Sequence, residues 1–195
     1  MTIDMTRHQG GMDISVAECI DNHYGTWRIR TDIQPIYDEE DSEHQTGVSF
    51  VEHEFPYKPS MDEVKDFVKS VIDAHTDEKI LTGFTWTVLH GDDAGRQVSV
   101  WLSMENQNNY SEAQRLANMM PDQVLPVTFK LGQDADGNAI YDTFETVQEL
   151  NMFYVQVFAY VKQCLDAGWE EKDGFDWTPY EEILNPVVES AEDSE

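Results

Sequence analysis

Apolar and polar residues alternate along two neighbouring segments in the first third of the chain. In residues 26–37 the side chains on one face are Trp27, Ile29, Thr31 and Ile33, and the other face is polar. Residues 47–57 alternate in the same way. A period of two residues is typical of a half-buried strand. The acidic stretch 38–43 between the two segments has the composition of a turn, so the two strands are predicted to pair as a hairpin.

A helix is predicted directly after this hairpin. Ser60 can cap its N-terminus, and Glu63 can reach back to the Ser60 amide, which is the arrangement of a capping box. Apolar residues then recur with helical spacing and form one stripe. They are Val64, Phe67, Val68, Val71 and Ile72. Such a stripe is expected to face a sheet.

The same order of elements recurs twice. Residues 80–90 and 96–103 are predicted to form a second hairpin, and a helix over 103–120 follows it and stops at Pro121. A third hairpin is predicted from residues 125–131 and 139–144, with Asp136-Gly137 at its turn.

The last predicted helix opens at Thr146, which forms a second capping box with Glu149. It is expected to stop at Gly168. Its apolar residues are Val147, Leu150, Phe153, Tyr154, Val157, Phe158, Val161 and Leu165.

The chain therefore predicts an α+β fold made of three hairpin-plus-helix units, with a mainly antiparallel sheet and helices on one side. Four regions are expected. They are a flexible N-terminus over 1–23, a hairpin-helix unit over 24–78, a hairpin-helix-hairpin-helix domain over 79–169 and an acidic tail over 170–195.

The charge of the chain narrows the classes of partner. Thirty-nine acidic residues against twelve basic ones give a formal net charge of −27. Such a surface repels nucleic-acid phosphates and anionic membranes, so direct binding to either is not expected. Cys19 and Cys164 lie far apart and predict no disulfide framework. Residues 1–15 have no apolar segment typical of a secretory signal. These features favour a cytoplasmic protein.

One loop matches the spacing of a metal site in part. Asp134, Asp136, Asn138 and Glu145 have the spacing of oxygen ligands in a calcium loop. However, Gly137 occupies the wrong loop position, and the preceding residues alternate as a strand. Asp, Asn and Gly are also common in hairpin turns, so a turn is the preferred interpretation. No catalytic residue and no cofactor is predicted.

Two groups of residues are candidates for an interaction surface. Trp101 is followed by a polar helix start with Asn106, Gln107, Asn109 and Tyr110, which could dock another chain or simply cap the helix. Trp169, Trp177 and Tyr180 lie among acidic residues near the C-terminus. They could anchor a partner, or they could fold back onto the domain.

The residues at several connections between these predicted strands and helices resemble those of a small phage domain of unknown function. That domain occurs in tail-fibre-associated and other structural proteins of tailed phages and prophages. The resemblance rests on Gly83-Phe84, on Trp101-Leu102 with the helix start at Ser103, on the strand 125–129 and on the long helix 150–169. The chain as a whole is also similar to proteins of gut Bacteroides-type phages, including residues 47–50 and 58–60.

The resemblance implies a non-enzymatic phage or prophage protein, tail-related, that binds another structural or assembly protein. It would act in the cytoplasm of the bacterial host or in the virion, and a homo-oligomer is compatible with it. One alternative is an acidic DNA mimic that inhibits a host nucleic-acid-binding protein. A second alternative is a calcium-dependent enzyme or binder that uses the Asp134 loop.

Overall fold

The computed structural model describes residues 4–186, in which there are eight strands and five helices. The strands are β1 (Arg7–Gly10), β2 (Ala17–Asp21), β3 (Thr26–Tyr37), β4 (Gln45–Phe55), β5 (Thr85–Thr87), β6 (Gln97–Ser99), β7 (Val127–Gln133) and β8 (Ala139–Phe144). The helices are α1 (Met61–Thr82), α2 (Met104–Met119), α3 (Pro121–Val124), α4 (Val147–Asp173) and α5 (Thr178–Leu184). No helix within 4–186 is long and apolar enough to cross a membrane.

The α+β class is confirmed. The hairpins β3–β4, β5–β6 and β7–β8 are each antiparallel and are followed in the chain by α1, α2 and α4. The strands form three separate antiparallel sheets, one of four strands and two of two strands. The chain divides into two compact units, the first made of residues 1–74 and 171–195 and the second of residues 75–170.

The N-terminus differs from its prediction as a flexible segment. Within residues 1–23, β1 pairs with β4 and β2 pairs with β3, so the sheet order is β1-β4-β3-β2. Both are edge strands, and β1 has no buried residue. An edge strand can be held by backbone pairing alone, so its side chains need not alternate between apolar and polar. This is why the sequence pattern missed both strands.

The four-stranded sheet has one apolar face, which is covered by helices. Ile29 of β3 and Val51 of β4 belong to a buried cluster with the predicted apolar stripe of α1 and with Tyr180 and Leu184 of α5. The capping box of α1 is also present, because the Ser60 amide donates to Glu63 Oε2 at 2.8 Å and the Glu63 amide donates to Ser60 Oγ at 3.3 Å.

The opposite face of this sheet holds a network of ion pairs. Arg30 is only 4% exposed. It donates to the Ser15 carbonyl at 2.9 Å, to Glu52 at 3.2 Å and to Glu18. Its guanidinium also lies 5.3 Å from the centre of the Phe50 ring. Burial of an arginine at this depth requires such partners, since an unpaired buried charge is strongly destabilising.

The acidic tail differs from its prediction as a separate region. The helix α4 continues to Asp173, and α5 follows after a short connection. Tyr180 is buried in the core of the first unit, and its hydroxyl donates to the Arg30 carbonyl at 2.7 Å. The predicted mobile end after Pro186 lies outside the described residues.

The core of the second unit is built from aromatic rings. Phe153 of α4 lies at its centre, with the ring centroids of Phe144 at 4.9 Å and of Trp86 and Tyr110 at 5.1 Å each. Mixed edge-to-face and tilted arrangements of this kind add to the free energy gained by burial alone. One ring of α4 thus touches residues from β5, α2 and β8.

A buried carboxylate joins two hairpins of this unit. Asp142 of β8 has no exposed surface. Its oxygens accept hydrogen bonds from Trp86 Nε1 at 2.8 Å, from the Leu89 amide at 2.9 Å and from the His90 amide at 3.0 Å. These three donors satisfy the charged acceptor, as a buried carboxylate requires.

Two boundaries differ in detail from the sequence prediction. The helix α1 continues through Ile80 to Thr82, so the strand expected from Ile80 begins only at Thr85. Pro121 does not only end α2, because it also opens the short helix α3. A proline is well placed at the first position of a helix, where its missing N–H would have no partner.

Gly168 does not end α4, contrary to its prediction as a helix stop. It is buried inside the helix, and a Cβ built there would lie 2.3 Å from Thr76 Oγ1 of α1. The missing side chain therefore allows α4 to approach α1 closely at Thr76. A glycine at a helix crossing and a glycine at a helix end look alike in a single sequence.

Replacement of Asp142 by alanine is expected to lower the free energy of unfolding by about 3 kcal/mol, because three buried N–H donors would lose their acceptor. Denaturant titration measures the change. The matched control is Asp92→Ala, which alters an exposed aspartate in the turn between β5 and β6. Equal stability of the two variants would contradict the role assigned to Asp142.

Gly168→Ala is expected to destabilise the protein by about 2 kcal/mol through overpacking against Thr76, although alanine favours helices more than glycine does. The double variant Gly168→Ala with Thr76→Ala should recover part of that loss, since it removes the nearest atom. Thermal unfolding of the single and double variants tests this coupling. A more stable Gly168→Ala protein would show that the contact is not tight.

Candidate protein-binding surface

The polar start of α2 mainly serves the fold. The side chain of Asn106 donates to the Trp101 carbonyl at 3.2 Å, and that of Gln107 donates to the Leu102 carbonyl at 2.7 Å. Ser103 caps the helix by accepting from the Asn106 amide at 3.3 Å. These bonds join residues 101–103, which follow β6, to the first turn of α2. The capping interpretation therefore accounts for Asn106 and Gln107.

The other residues of this group have different environments. Tyr110 is buried against Phe129 and Phe153, and this burial raises its pKa to about 12. Trp101 is partly exposed, with Lys130 Nζ at 4.9 Å from its ring centre. Asn109 is exposed. Of the predicted interaction residues at this helix start, Trp101 and Asn109 keep surface that a partner could contact.

The three aromatic residues near the C-terminus do not form one surface patch. Tyr180 is buried, and Trp177 is partly buried with Phe175 at 4.4 Å between ring centroids. Lys65 Nζ also lies 5.8 Å from the Trp177 ring. Trp169 belongs to the second unit and is 56% exposed. Only Trp169 presents most of its ring to solvent.

The Asp134 loop is organised as a hairpin turn. The Asp134 carboxylate accepts from the amides of Asn138 at 2.8 Å and Asp136 at 3.0 Å, and from Arg96 at 3.1 Å. The bonds from Asn138 and Arg96 lower the pKa of Asp134 to about 2. Among residues 4–186 no group of three or more His, Cys, Asp or Glu side chains is placed to hold a metal ion. Glu145 contributes its backbone amide to Glu149 instead.

A histidine and a carboxylate meet at the start of α4. His90 Nε2 lies 3.1 Å from Glu149 Oε1, and this hydrogen bond raises the pKa of His90. Burial acts to raise the pKa of Glu149, but the bonds from His90 and from the amides of Glu145 and Thr146 outweigh burial and lower it. Glu149 also completes the predicted capping box with Thr146. The pair therefore fixes the N-terminus of α4.

Several exposed apolar side chains lie together on the outer face of α4. We define this outer face as the exposed residues Met152, Val155, Phe158, Ala159, Lys162 and Trp169. Steps of three, four or seven residues place them on one side of the helix, opposite the buried residues Leu150, Phe153, Val157 and Cys164. Val155 is 62% exposed and Phe158 is 58% exposed.

The outer face also forms a shallow groove. Val155, Phe158, Ala159, Lys162 and Asp166 are among the residues that line a depression of about 530 Å³. The predicted apolar residues of the last helix included Phe158, which is exposed, and did not include Val155. Phe158 lies eight residues after Leu150, which is helical spacing, so the pattern did not separate it from Leu150 and Val157. Val155 falls outside that spacing, but the spacing does not show which side of the helix the core covers.

A polar contact between α2 and α4 was also missed. Asn151 of α4 accepts from Gln114 at 2.7 Å and from Asn118 at 2.9 Å. Isolated amides in a sequence give no spatial signal, since their partners lie more than thirty positions away. These bonds join α2 to the beginning of α4.

The chain belongs to a family described as a domain of unknown function, DUF4376, whose model matches residues 63–188. The match covers more than half of the 195 residues and includes the whole outer face of α4. No curated protein and no solved structure matches the chain. The expectation of a domain of unknown function is thus confirmed, and the family region begins earlier than the predicted boundary at residue 79.

The pH dependence of stability provides a test of the His90–Glu149 contact. Because the pKa of His90 is raised on folding, its contribution to stability is complete below its usual pKa of 6.5 and is lost as the pH rises through the raised value. His90→Gln removes the titration and keeps a hydrogen-bond donor. The difference in melting temperature between the two proteins should shrink from about pH 5 to about pH 8. A constant difference would contradict this assignment.

Proposed function

We propose that this protein is a non-enzymatic binding protein that assembles with another protein through the outer face of α4. The setting that we propose is a phage or prophage particle, with a tail or assembly protein as the partner. The observation that carries the proposal is a helix that is apolar on two opposite sides, only one of which is covered by the core of its own unit.

A helix at the surface of a domain normally has one apolar stripe and one polar face. On α4 the inner stripe is buried, whereas Met152, Val155 and Phe158 on the other side are each about half exposed or more. Clustered exposed apolar residues of this kind mark binding surfaces more often than scattered ones do. Phe158 and Trp169 are also the type of aromatic residue that contributes strongly to binding when a partner desolvates it.

The charged residues of this face favour a partner with basic groups around an apolar centre. Lys162 is exposed and pairs with Asp166 within the helix, and Glu170 lies one turn further on. With a net charge of −27, the chain attracts a basic partner over distance, and the apolar contacts then provide the affinity. The acidic surface thus directs encounter, and the outer face provides the contact.

The phage setting is supported by the resemblance of the joints around α2 and α4 to a domain of phage structural proteins. The residues behind that resemblance have structural roles here. Gly83 adopts a positive φ of 74°, and Ser103 caps α2. They maintain the unit that presents the outer face of α4, so the resemblance and the proposed surface concern the same part of the chain.

Substitution of Val155 and Phe158 by serine is expected to weaken binding to the partner at least about tenfold, because truncation of buried anchors at an interface typically costs more than about 1 kcal/mol each. The melting temperature should remain unchanged, since both side chains are exposed. Co-expression with the proteins encoded beside this gene, followed by calorimetry of any pair that co-purifies, measures the affinity.

The matched control is Met104→Ser, which removes an apolar side chain of α2 that is 70% exposed. It should leave the affinity unchanged. Equal loss in the control, or full binding by the double variant, would overturn the proposed surface. Failure of every structural protein to bind, together with displacement of DNA from a host protein, would favour the DNA-mimic alternative.

A further inference from the structure

The first unit contains a cavity of about 500 Å³ between the end of β4 and the first half of α1. Its lining combines aromatic rings with carboxylates. The lining includes His53, Phe55, Tyr57, Glu63, Asp66, Phe67 and Ser70. All of them belong to the first unit, so this cavity is separate from the outer face of α4.

The aromatic part of the lining is preorganised. The ring of His53 lies 4.7 Å from Phe55 and 5.5 Å from Phe67, measured between centroids. Tyr57 lies 6.3 Å from Phe55, and half of its surface is exposed. Phe55 and Phe67 are buried and therefore cannot move freely. An immobile aromatic wall beside an open ring is suited to hold a flat or compact group of a ligand.

The carboxylate of Glu63 is hydrogen-bonded by neutral donors. Glu63 accepts from the Tyr57 hydroxyl at 2.6 Å and from the Ser60 amide and hydroxyl at 2.8 Å each, and all of these donors are neutral. Their hydrogen bonds, that of Tyr57 first, lower the pKa of Glu63. Asp66 has no ion pair within the part of the chain that the structure describes.

One further carboxylate at this cavity is already neutralised. Glu54 pairs with Arg28 at 2.5 Å on the other face of the sheet. No lysine or arginine is among the lining residues of the cavity. An anion would therefore meet two uncompensated carboxylates, whereas a cation would meet both these charges and the negative faces of the rings.

We infer that this cavity binds the cationic side chain of an arginine or lysine from a partner polypeptide. The aliphatic stem of such a side chain would pack on Tyr57 and His53, and its charged head would reach Glu63 and Asp66. Arginine suits the site better, because its planar guanidinium can stack on a ring and donate to a carboxylate at the same time. This inference goes beyond the proposed function and does not depend on the outer face of α4.

The test is a titration of the full-length protein, observed by NMR, with the capped amino acid Nα-acetyl-arginine amide. The matched ligand is Nα-acetyl-citrulline amide, which has nearly the same shape and no charge. Saturable shifts are expected at the amides of Tyr57, Glu63 and Ser70, with binding of citrulline weaker by about tenfold. Equal binding of the two ligands would overturn the cationic assignment.

Three variants separate the charge from the ring. Asp66→Asn should weaken arginine binding by about threefold, as expected for an exposed ion pair. Tyr57→Leu should weaken it further than Tyr57→Phe, which keeps the ring. Glu78→Gln, an exposed acidic residue of the same helix, is the control and should bind arginine as the wild type does.

Shifts of equal size at the acidic hairpin tip around Glu40 would show general attraction of a cation to a highly negative chain, and would overturn the inference. The double variant Val155→Ser with Phe158→Ser should titrate normally. Loss of partner binding in that variant with retained arginine binding would separate the outcome of this experiment from that of the proposed function.

Discussion

The geometry of the second unit depends on the hydrogen bonds that the buried carboxylate of Asp142 accepts. Two residues connect Asp142 to α4. Trp86 donates to Asp142 and packs edge-on against Phe153 of α4. The His90 amide also donates to Asp142, and the His90 side chain contacts Glu149 at the N-terminus of α4. A charged group inside the unit therefore orients the helix whose outer face we propose as the binding surface.

In the first unit the few cations of the chain have a similar organising role. Arg28 and Arg30 lie two positions apart along β3, on the same face of the sheet, and both pair with Glu18 and Glu52. Each arginine thus joins neighbouring strands on the face that the helices do not cover. With only twelve basic residues in the chain, such shared pairing lets a strongly acidic sequence form a compact sheet without accumulating repulsion there.

Periodic patterns predicted what local chemistry controls, and they missed what depends on distant partners. The strand Thr26–Tyr37, both capping boxes and the buried stripe of α1 followed from spacing alone. The edge strands β1 and β2 were missed because backbone pairing holds them, and Gly168 was misread because the residue it meets, Thr76, is remote in sequence. At the candidate site, the exposed Trp169 agrees with one of the two interpretations that its sequence position allowed. Val155 was overlooked because one sequence does not reveal which apolar side of a helix the core covers.

Under the proposed function, the exposed Phe158 and Val155 have a consequence for the order of events when the protein meets a partner. Apolar contact acts only at short range, whereas repulsion between two chains that each carry a formal charge of −27 extends over about 8–10 Å at moderate salt. Two copies are thus kept apart before their apolar helices can meet. A partner that brings positive charge removes this barrier at the moment of encounter. The negative charge of the chain would then prevent self-association through the outer face of α4 until a positively charged partner binds.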